Sequence, residues 1–310
     1  MMKNYICAVT ILLTLLSLSG CKKSSDDTTT RPSLSGISVN QAPPFIAVGE
    51  SLSFQADVHS ITVSDGTTPT IGVYWQVNGA RKDTLSKDIS KSNPDFVYRA
   101  DTLGTYNVFC YAYAGSDYYG TSASASFRAI DPATALSGIA TADEISIKGM
   151  TWKSRNATHA TKGLSFRNAP VLDVTLGRLF SWEDAQTVCP TGWHLPTVAE
   201  FEASFAGADG TMDAGSLMAD ASLLDEKMWT YWPSVTITNQ FGFNALPLGY
   251  IDTTDSYYTY EKYGEYACWW TSDQAAGLGT YLYIYQEDPI VKKGQGDKKS
   301  LAMGVRCVKD

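Results

Sequence analysis

Between about Ser33 and Ile130 the sequence breaks into short runs that alternate in polarity or are rich in β-branched and aromatic residues. Ser51-Leu52-Ser53-Phe54-Gln55-Ala56-Asp57-Val58, Ile71-Gly72-Val73-Tyr74-Trp75-Gln76-Val77 and Tyr106-Asn107-Val108-Phe109-Cys110-Tyr111-Ala112-Tyr113 are the clearest. Such runs are strand-length with a period near two, so each must pair with others and bury one face. Asn78-Gly79 follows the run that ends at Val77; both residues tolerate positive φ, which predicts a two-residue hairpin. Many short strands at this spacing predict a β-sandwich over residues 33–131.

The pattern within that segment resembles an Ig-like or PKD-like domain. Trp75 stands in the place of the core tryptophan, Cys110 lies on a late strand, and Leu103-Gly104-Thr105-Tyr106 leads into that strand. The resemblance implies a spacer that projects the next module outward. The alternative is that the loop Ala114–Thr121, tyrosine-rich around Tyr118-Tyr119, touches a partner. One departure is clear: Phe54 and Ala56 occupy the positions where an Ig disulfide partner would sit, so Cys110 is expected as a buried free thiol.

Asp131-Pro132-Ala133-Thr134 ends the last sandwich strand, because proline cannot donate to a ladder and restricts the residue before it. A second domain is expected over 137–310. Within it Ser181 precedes Trp182, Ala185 and Val188 at helical spacing, with Glu183 and Asp184 in the first turn, which predicts a short amphipathic helix ending near Cys189-Pro190. Val198–Phe205 predicts a second helix: Thr197 can cap it, Glu200 supplies the capping-box carboxylate, and Phe201 and Phe205 face the core.

Four ordered blocks then carry a family resemblance. They are Cys189-Pro190-Thr191-Gly192-Trp193-His194-Leu195-Pro196-Thr197 with Glu200-Phe201, Gly242-Phe243-Asn244-Ala245-Leu246-Pro247-Leu248-Gly249-Tyr250, Trp270-Thr271-Ser272, and Val305-Arg306-Cys307-Val308-Lys309-Asp310. Over about Glu144 to Asp310 the chain resembles the Fibrobacter succinogenes major paralogous domain family. That resemblance implies an α+β C-type-lectin-like fold in an exported bacterial protein, so the whole is read as an all-β Ig-like sandwich followed by a C-type-lectin-like domain. Folds of that kind bridge the two chain ends of the domain, which implies a Cys189–Cys307 disulfide. Closing a loop of 118 residues constrains the unfolded chain by nominally about 4 to 5 kcal/mol. Cys268 is then an unpaired strand residue, with a Cys110–Cys268 link as the other possibility.

The N-terminus supplies an address. Lys3 is the one charge before Ile6–Leu18, a run apolar apart from Thr10, Thr14 and Ser17, of signal-peptide length and too short to span a bilayer. Leu18-Ser19-Gly20-Cys21 resembles the lipobox of bacterial lipoproteins, which implies removal of residues 1–20 and acylation of Cys21; an ordinary secretory signal is the alternative. Residues 21–32 carry no large apolar side chain and are expected as a flexible tether. Lys22-Lys23-Ser24-Ser25-Asp26-Asp27 resembles the surface-export signals of Bacteroidetes lipoproteins, although two serines interrupt it. An outer-membrane lipoprotein of the cell envelope is the expected location, facing outward if that export signal operates, with the membrane a partner through lipid on Cys21.

The 310-residue chain has a formal net charge of -8, and its pI is near 4.9. That balance argues against nucleic acid as a partner. No metal site is expected, since the last four cysteines lack CxxC spacing and His59, His159 and His194 are scattered. No cofactor and no enzymatic activity are expected either. The sequence has no GxSxG, HExxH or glycine-rich phosphate loop. Cys268, beside Trp269 and Trp270, has an apolar setting with no neighbouring cation to activate it. His194 reads as a hydrogen-bonded turn residue. The Glu-Pro-Asn and Trp-Asn-Asp signatures of calcium-dependent lectins are missing, and Trp270-Thr271-Ser272-Asp273 offers only one carboxylate.

What remains is calcium-independent recognition of a glycan by the stretch Tyr250–Trp270. The candidate ligand-binding residues are Asp255, Tyr257, Tyr258, Tyr260, Tyr263 and Trp270, with Tyr266, Asp252, Glu261 and Glu265 nearby. Some of these rings are expected to turn inward as the core of a β-hairpin. The alternative function is a structural or partner-binding component of a surface assembly that contacts another envelope protein.

Overall fold

The computed structural model describes residues 33–62, 71–85, 95–114, 117–229, 234–254 and 259–310. The signal, Cys21 and the tether lie outside the described residues, as do the side chains of the loop Ala114–Thr121.

The strands before Asp131 are β1 (Ser33–Val39), β2 (Phe45–Ala47), β3 (Ser51–Phe54), β4 (Ala56–Thr62), β5 (Ile71–Val77), β6 (Ala80–Leu85), β7 (Phe96–Arg99), β8 (Gly104–Ala114) and β9 (Asp117–Ile130). Five of them form a sheet in the order β2-β9-β8-β5-β6, antiparallel except for the parallel β2–β9 pair. The pairs β1–β4 and β3–β7 form the facing layer. Alternation fixes which side chains are inside: Val73, Trp75 and Val77 on β5 and Tyr106, Val108, Cys110 and Ala112 on β8 are all buried, and they share one core with Phe54 and Phe96 of the opposite layer. Ring centroids lie 6.2 Å apart for Phe54–Trp75 and 5.1 Å for Trp75–Phe96. This is a β-sandwich.

Val77 pairs with Ala80 across Asn78 and Gly79, whose φ values of 49° and 79° make the expected hairpin turn. Cys110 lies opposite Trp75, buried and unbridged. Burial pushes its thiol up to about 12, which leaves it protonated and unreactive.

β9 ends at Ile130, and the carboxylate and carbonyl of Asp131 accept hydrogen bonds from the amides of Ala133 and Thr134 to turn the chain. Ile130 and Phe45 pack outside the sandwich core, in a cluster with Ala135, Leu172 and Leu223. Beyond this turn the strands are mostly two to five residues long. The first and last segments meet in one sheet ordered Glu144–Ile147, Met150–Lys153, Val308–Lys309, Trp193–His194. Beside it Cys189 and Cys307, 118 residues apart, are bridged as the family resemblance implies.

Among the described residues the α-helices are Asp173–Leu176, Trp182–Ala185 and Val198–Phe205, and the chain is mostly β. The last has the predicted capping box: Thr197 Oγ1 accepts from the Glu200 amide at 3.1 Å, and Glu200 Oε2 accepts from the Thr197 amide at 2.7 Å. The helix begun by Ser181 is shorter than its spacing predicts. After Ala185 the amide of Thr187 turns back to the Asp184 carbonyl, which the Thr187 hydroxyl also engages, so a local side-chain bond competes with the next helical turn.

Tyr266–Ala275, Leu278–Tyr285 and Lys292–Gly296 form a three-stranded sheet between two cores. Ala267, Trp269, Leu282 and Ile284 enter one, while Cys268 and Trp270 enter the other.

Candidate functional site

The family blocks converge in the interior rather than on a surface. Arg306 is 1 % exposed. Its guanidinium donates to the carbonyls of Phe243, Asn244 (3.5 Å) and Lys153 (3.4 Å) and to Asn156 Oδ1 (3.1 Å), and it lies 4.2 Å from the centre of the Phe243 ring. Burial lowers its pKa to about 9. Asn156 Oδ1 also accepts from Trp269 Nε1 at 3.0 Å. Asn244 Oδ1 accepts from the Ala140 amide, and Asn244 Nδ2 donates to the Ala140 carbonyl. These side chains satisfy backbone that no regular strand pairs. Gly249, at φ +67°, admits the passing Glu261 carbonyl, which a Cβ would meet at 1.9 Å.

His194 is a structural tie as well. Nδ1 lies 2.7 Å from Asp310 and Nε2 lies 2.9 Å from Glu200. Burial disfavours the charged ring, but the bonds to Asp310 and Glu200 outweigh it and raise the pKa above 6.5. Asp273, the one carboxylate of the Trp270–Asp273 block, accepts from the Val198 amide at 2.7 Å and so caps a helix. Cys268 is buried, unbridged, and its thiol is pushed up by burial. Among the described residues no group of three or more His, Cys, Asp or Glu side chains could hold a metal ion.

The expected ligand-binding residues divide. Asp255, Tyr257 and Tyr258 lie outside the described residues, and so does the side chain of Tyr260, whose backbone pairs with Ile251. Tyr263 is 38 % exposed and lies 5.0 Å from the Phe166 ring. Trp270 does not belong to an exposed face. It is 0 % exposed and donates from Nε1 to the Phe180 carbonyl at 2.8 Å, because both faces of its sheet are covered and alternation there does not separate inside from outside.

The aromatic face forms on the next strand instead. In Leu278–Tyr285, Leu282 and Ile284 are buried, while Tyr281, Tyr283 and Tyr285 are half-buried on the face they share with Cys268 and Trp270, where Tyr281 and Tyr283, like Tyr266, pack against the rim of that core. Tyr266 sits across from Tyr285, with ring centroids 4.7 Å apart, and is 5.8 Å from Tyr283; Tyr281 and Tyr283 are 5.8 Å apart. Glycine makes the floor: a Cβ on Gly294 would come within 2.4 Å of the Tyr281 ring, and one on Gly279 within 2.4 Å of Trp182. Trp182 therefore extends the same face, held by its Nε1 bond to the Thr271 carbonyl at 2.8 Å.

Carboxylates rim this row. Hydrogen bonding to Glu287 leads the causes that push the Tyr285 phenol up to about 12. Burial chiefly does the same for Tyr281, also to about 12, and raises Tyr266 and Tyr250, with Glu265 and Glu287 adding to the former and Glu261 and Asp252 to the latter. The phenols are therefore protonated at neutral pH and can both donate and accept. The signal was present in the sequence as Tyr281-Leu282-Tyr283-Ile284-Tyr285, a strict two-residue alternation.

Comparison with known proteins adds a family. No curated protein matches the chain. A CARDB domain from Pyrococcus furiosus superposes with a TM-score of 0.23 at 12 % identity, covering 32 % of this chain and 95 % of that one. Fibronectin(III)-like modules of Clostridium thermocellum CbhA give 0.24 at 16 % identity, covering 33 % of this chain and 47 % of that one. Correspondence that loose carries no argument, and the architecture rests on the strand pairing above. The sequence model described as the Fibrobacter succinogenes major domain matches residues 136–309, the stretch framed by Arg306 and the Cys189–Cys307 bridge, and the chain belongs to that family.

Proposed function

We propose that this chain is a lipid-anchored protein of the bacterial cell envelope that recognises neutral glycans, without calcium, through the row formed by Tyr266, Tyr281, Tyr283 and Tyr285. The observation that carries the reading is the row itself: four contiguous half-buried rings on one sheet face, with a rim of carboxylates. Rings offer apolar faces to sugar C–H surfaces, and carboxylates accept hydroxyl hydrogens. The same carboxylates repel polyanions, which selects neutral polymers.

In this reading the second unit is C-type-lectin-like, supported by the meeting of its chain ends, and the sandwich is an Ig-like spacer, supported by Trp75 in its core and by the bond from Tyr106 Oη to the Thr102 carbonyl at 2.8 Å. Anchoring rests on Leu18-Ser19-Gly20-Cys21; palmitate labelling that disappears in Cys21→Ser checks it. No enzymatic role is proposed, since the thiol of Cys268 is held protonated and His194 is tied at both nitrogens.

Affinity electrophoresis of the purified chain through neutral and acidic polysaccharides, with and without chelator, tests the glycan reading. Retardation by at least one neutral polymer that survives chelator and weakens by about tenfold or more in Tyr283→Ala/Tyr285→Ala is expected. Loss on chelation, or no retardation by any neutral polymer, contradicts it and favours an envelope-protein partner.

A further inference from the structure

Among the described residues three arginines have a buried Nε with no hydrogen-bond partner: Arg155, Arg178 and Arg306. Two are satisfied at their other nitrogens. Arg178 donates to the carbonyls of His159 and Gly163, at 3.0 and 2.6 Å, and Arg306 to those described above. Arg155 is different: it is half-buried, and among the described residues its guanidinium has no hydrogen bond and no ion pair. A buried donor without an acceptor costs free energy, so such a group is an open valence for something that enters.

Arg155 also lies where two clefts meet. One, of about 380 Å³, is lined by Asp143, Lys153 and Thr158, and the other, of about 410 Å³, by Ser137 and Thr141. Both volumes fall in the range of small-molecule sites. Lys153 is already committed, 2.7 Å from Glu144 and 4.2 Å from the centre of the Trp193 ring. Asp143 places a negative charge in the wall. One free guanidinium beside one carboxylate suits a monoanion and disfavours a dianion such as phosphate. A planar fork of donors matches a carboxylate in two-point contact.

We propose that Arg155 anchors a binding site for a small carboxylate ligand, either a uronic-acid sugar or a free organic acid. This site is separate from the tyrosine row and takes ligands of opposite electrostatic preference, so either reading can fail without the other.

The test is NMR titration of the purified full chain with D-glucuronate, acetate, D-glucose and inorganic phosphate at fixed ionic strength. Glucuronate is expected to shift the Arg155 Nε–H and the Thr158 amide saturably, and glucose to shift neither. Acetate binding as well as glucuronate assigns the site to free acids, while tighter glucuronate binding assigns it to uronates. Arg155→Gln, which removes no hydrogen bond or ion pair among the described residues, is expected to weaken binding by roughly ten- to a hundredfold with little change in unfolding midpoint. Asp143→Asn is expected to tighten it. Equal shifts with glucose, tighter binding of phosphate, no saturation, or unaltered affinity in Arg155→Gln overturns the proposal.

Discussion

The two halves of this molecule solve the same problem with different chemistry. Residues 33–130 are long strands in two layers around a core of Phe54, Trp75, Phe96, Val108 and Phe127, with a free thiol at Cys110 and no fully buried polar side chain among those described. Residues 136–309 pair so little of their backbone in regular strands that side chains must finish the work. Among the described residues the buried polar ones, Ser154, Ser165, Thr175, Ser204, Ser216, Asn244, Thr271, Thr280, Gln286 and Arg306, all fall in this half, together with the disulfide. Regular pairing satisfies amides and carbonyls by itself; irregular chain needs an internal polar frame. The four family blocks are legible as that frame, which is why recognition is proposed outside them, on the tyrosine row.

The largest effects probe the two kinds of core. Arg306→Met strands the Phe243 and Asn244 carbonyls, each a loss of about 1–3 kcal/mol, while Asn156 Oδ1 keeps its bond from Trp269 Nε1, so about 2–5 kcal/mol is expected in denaturant unfolding. Phe54→Ala should cost a similar 3–5 kcal/mol by leaving a cavity. Hydrogen exchange should divide them, with Arg306→Met deprotecting 136–309 and Phe54→Ala deprotecting β5 and β8. Equal deprotection of both halves by either variant breaks the comparison.

Reducing the Cys189–Cys307 bridge should cost about 2–5 kcal/mol, with exchange rising in the second half alone. Cys110→Ser tests how little polarity the sandwich core accepts beyond Trp75 Nε1, which is buried without a hydrogen bond, and Tyr106 Oη, which is bonded to Thr102. A buried hydroxyl without a partner should cost about 1–3 kcal/mol, against less for Cys110→Ala, in the same unfolding assay.

The smallest effect is electrostatic. The pKa of His194 is raised in the fold above 6.5, so its contribution is fully present below pH 6.5 and is lost as pH rises through the folded value. Glu200 is lowered below 4.5; burial raises it, but bonds from Thr197 and His194 prevail, so its contribution is present above pH 4.5 and is lost as pH falls through the folded value. The pair therefore supports the fold most between about pH 4.5 and 6.5. With His194 40 % exposed, solvent limits the effect to under about 1 kcal/mol. His194→Ala should flatten the difference in unfolding midpoint between pH 5.5 and pH 8.

Local signals in the sequence carried through to the structure. The Thr197/Glu200 capping box, the Asn78-Gly79 hairpin and the end of β9 before Asp131-Pro132 each depend on residues within a few positions of one another. The bridge was legible through the family resemblance. The fate of Trp270 was not, because a sheet covered on both faces hides its inside from a two-residue period. The tyrosine row was half legible: Tyr266 lay in the stretch singled out, but its ring partners come from the following strand, and only pairing of Tyr266 with Tyr285 brings them together.

The measurement that separates frame from surface is paired binding and unfolding of two variants on one retarding polysaccharide. The folded fraction of Tyr283→Ala/Tyr285→Ala should lose about tenfold or more in binding, whereas Arg306→Met should lose midpoint while its folded fraction binds as the parent does. Loss of binding in folded Arg306→Met with binding retained in the tyrosine variant would contradict the account and place recognition in the family blocks themselves.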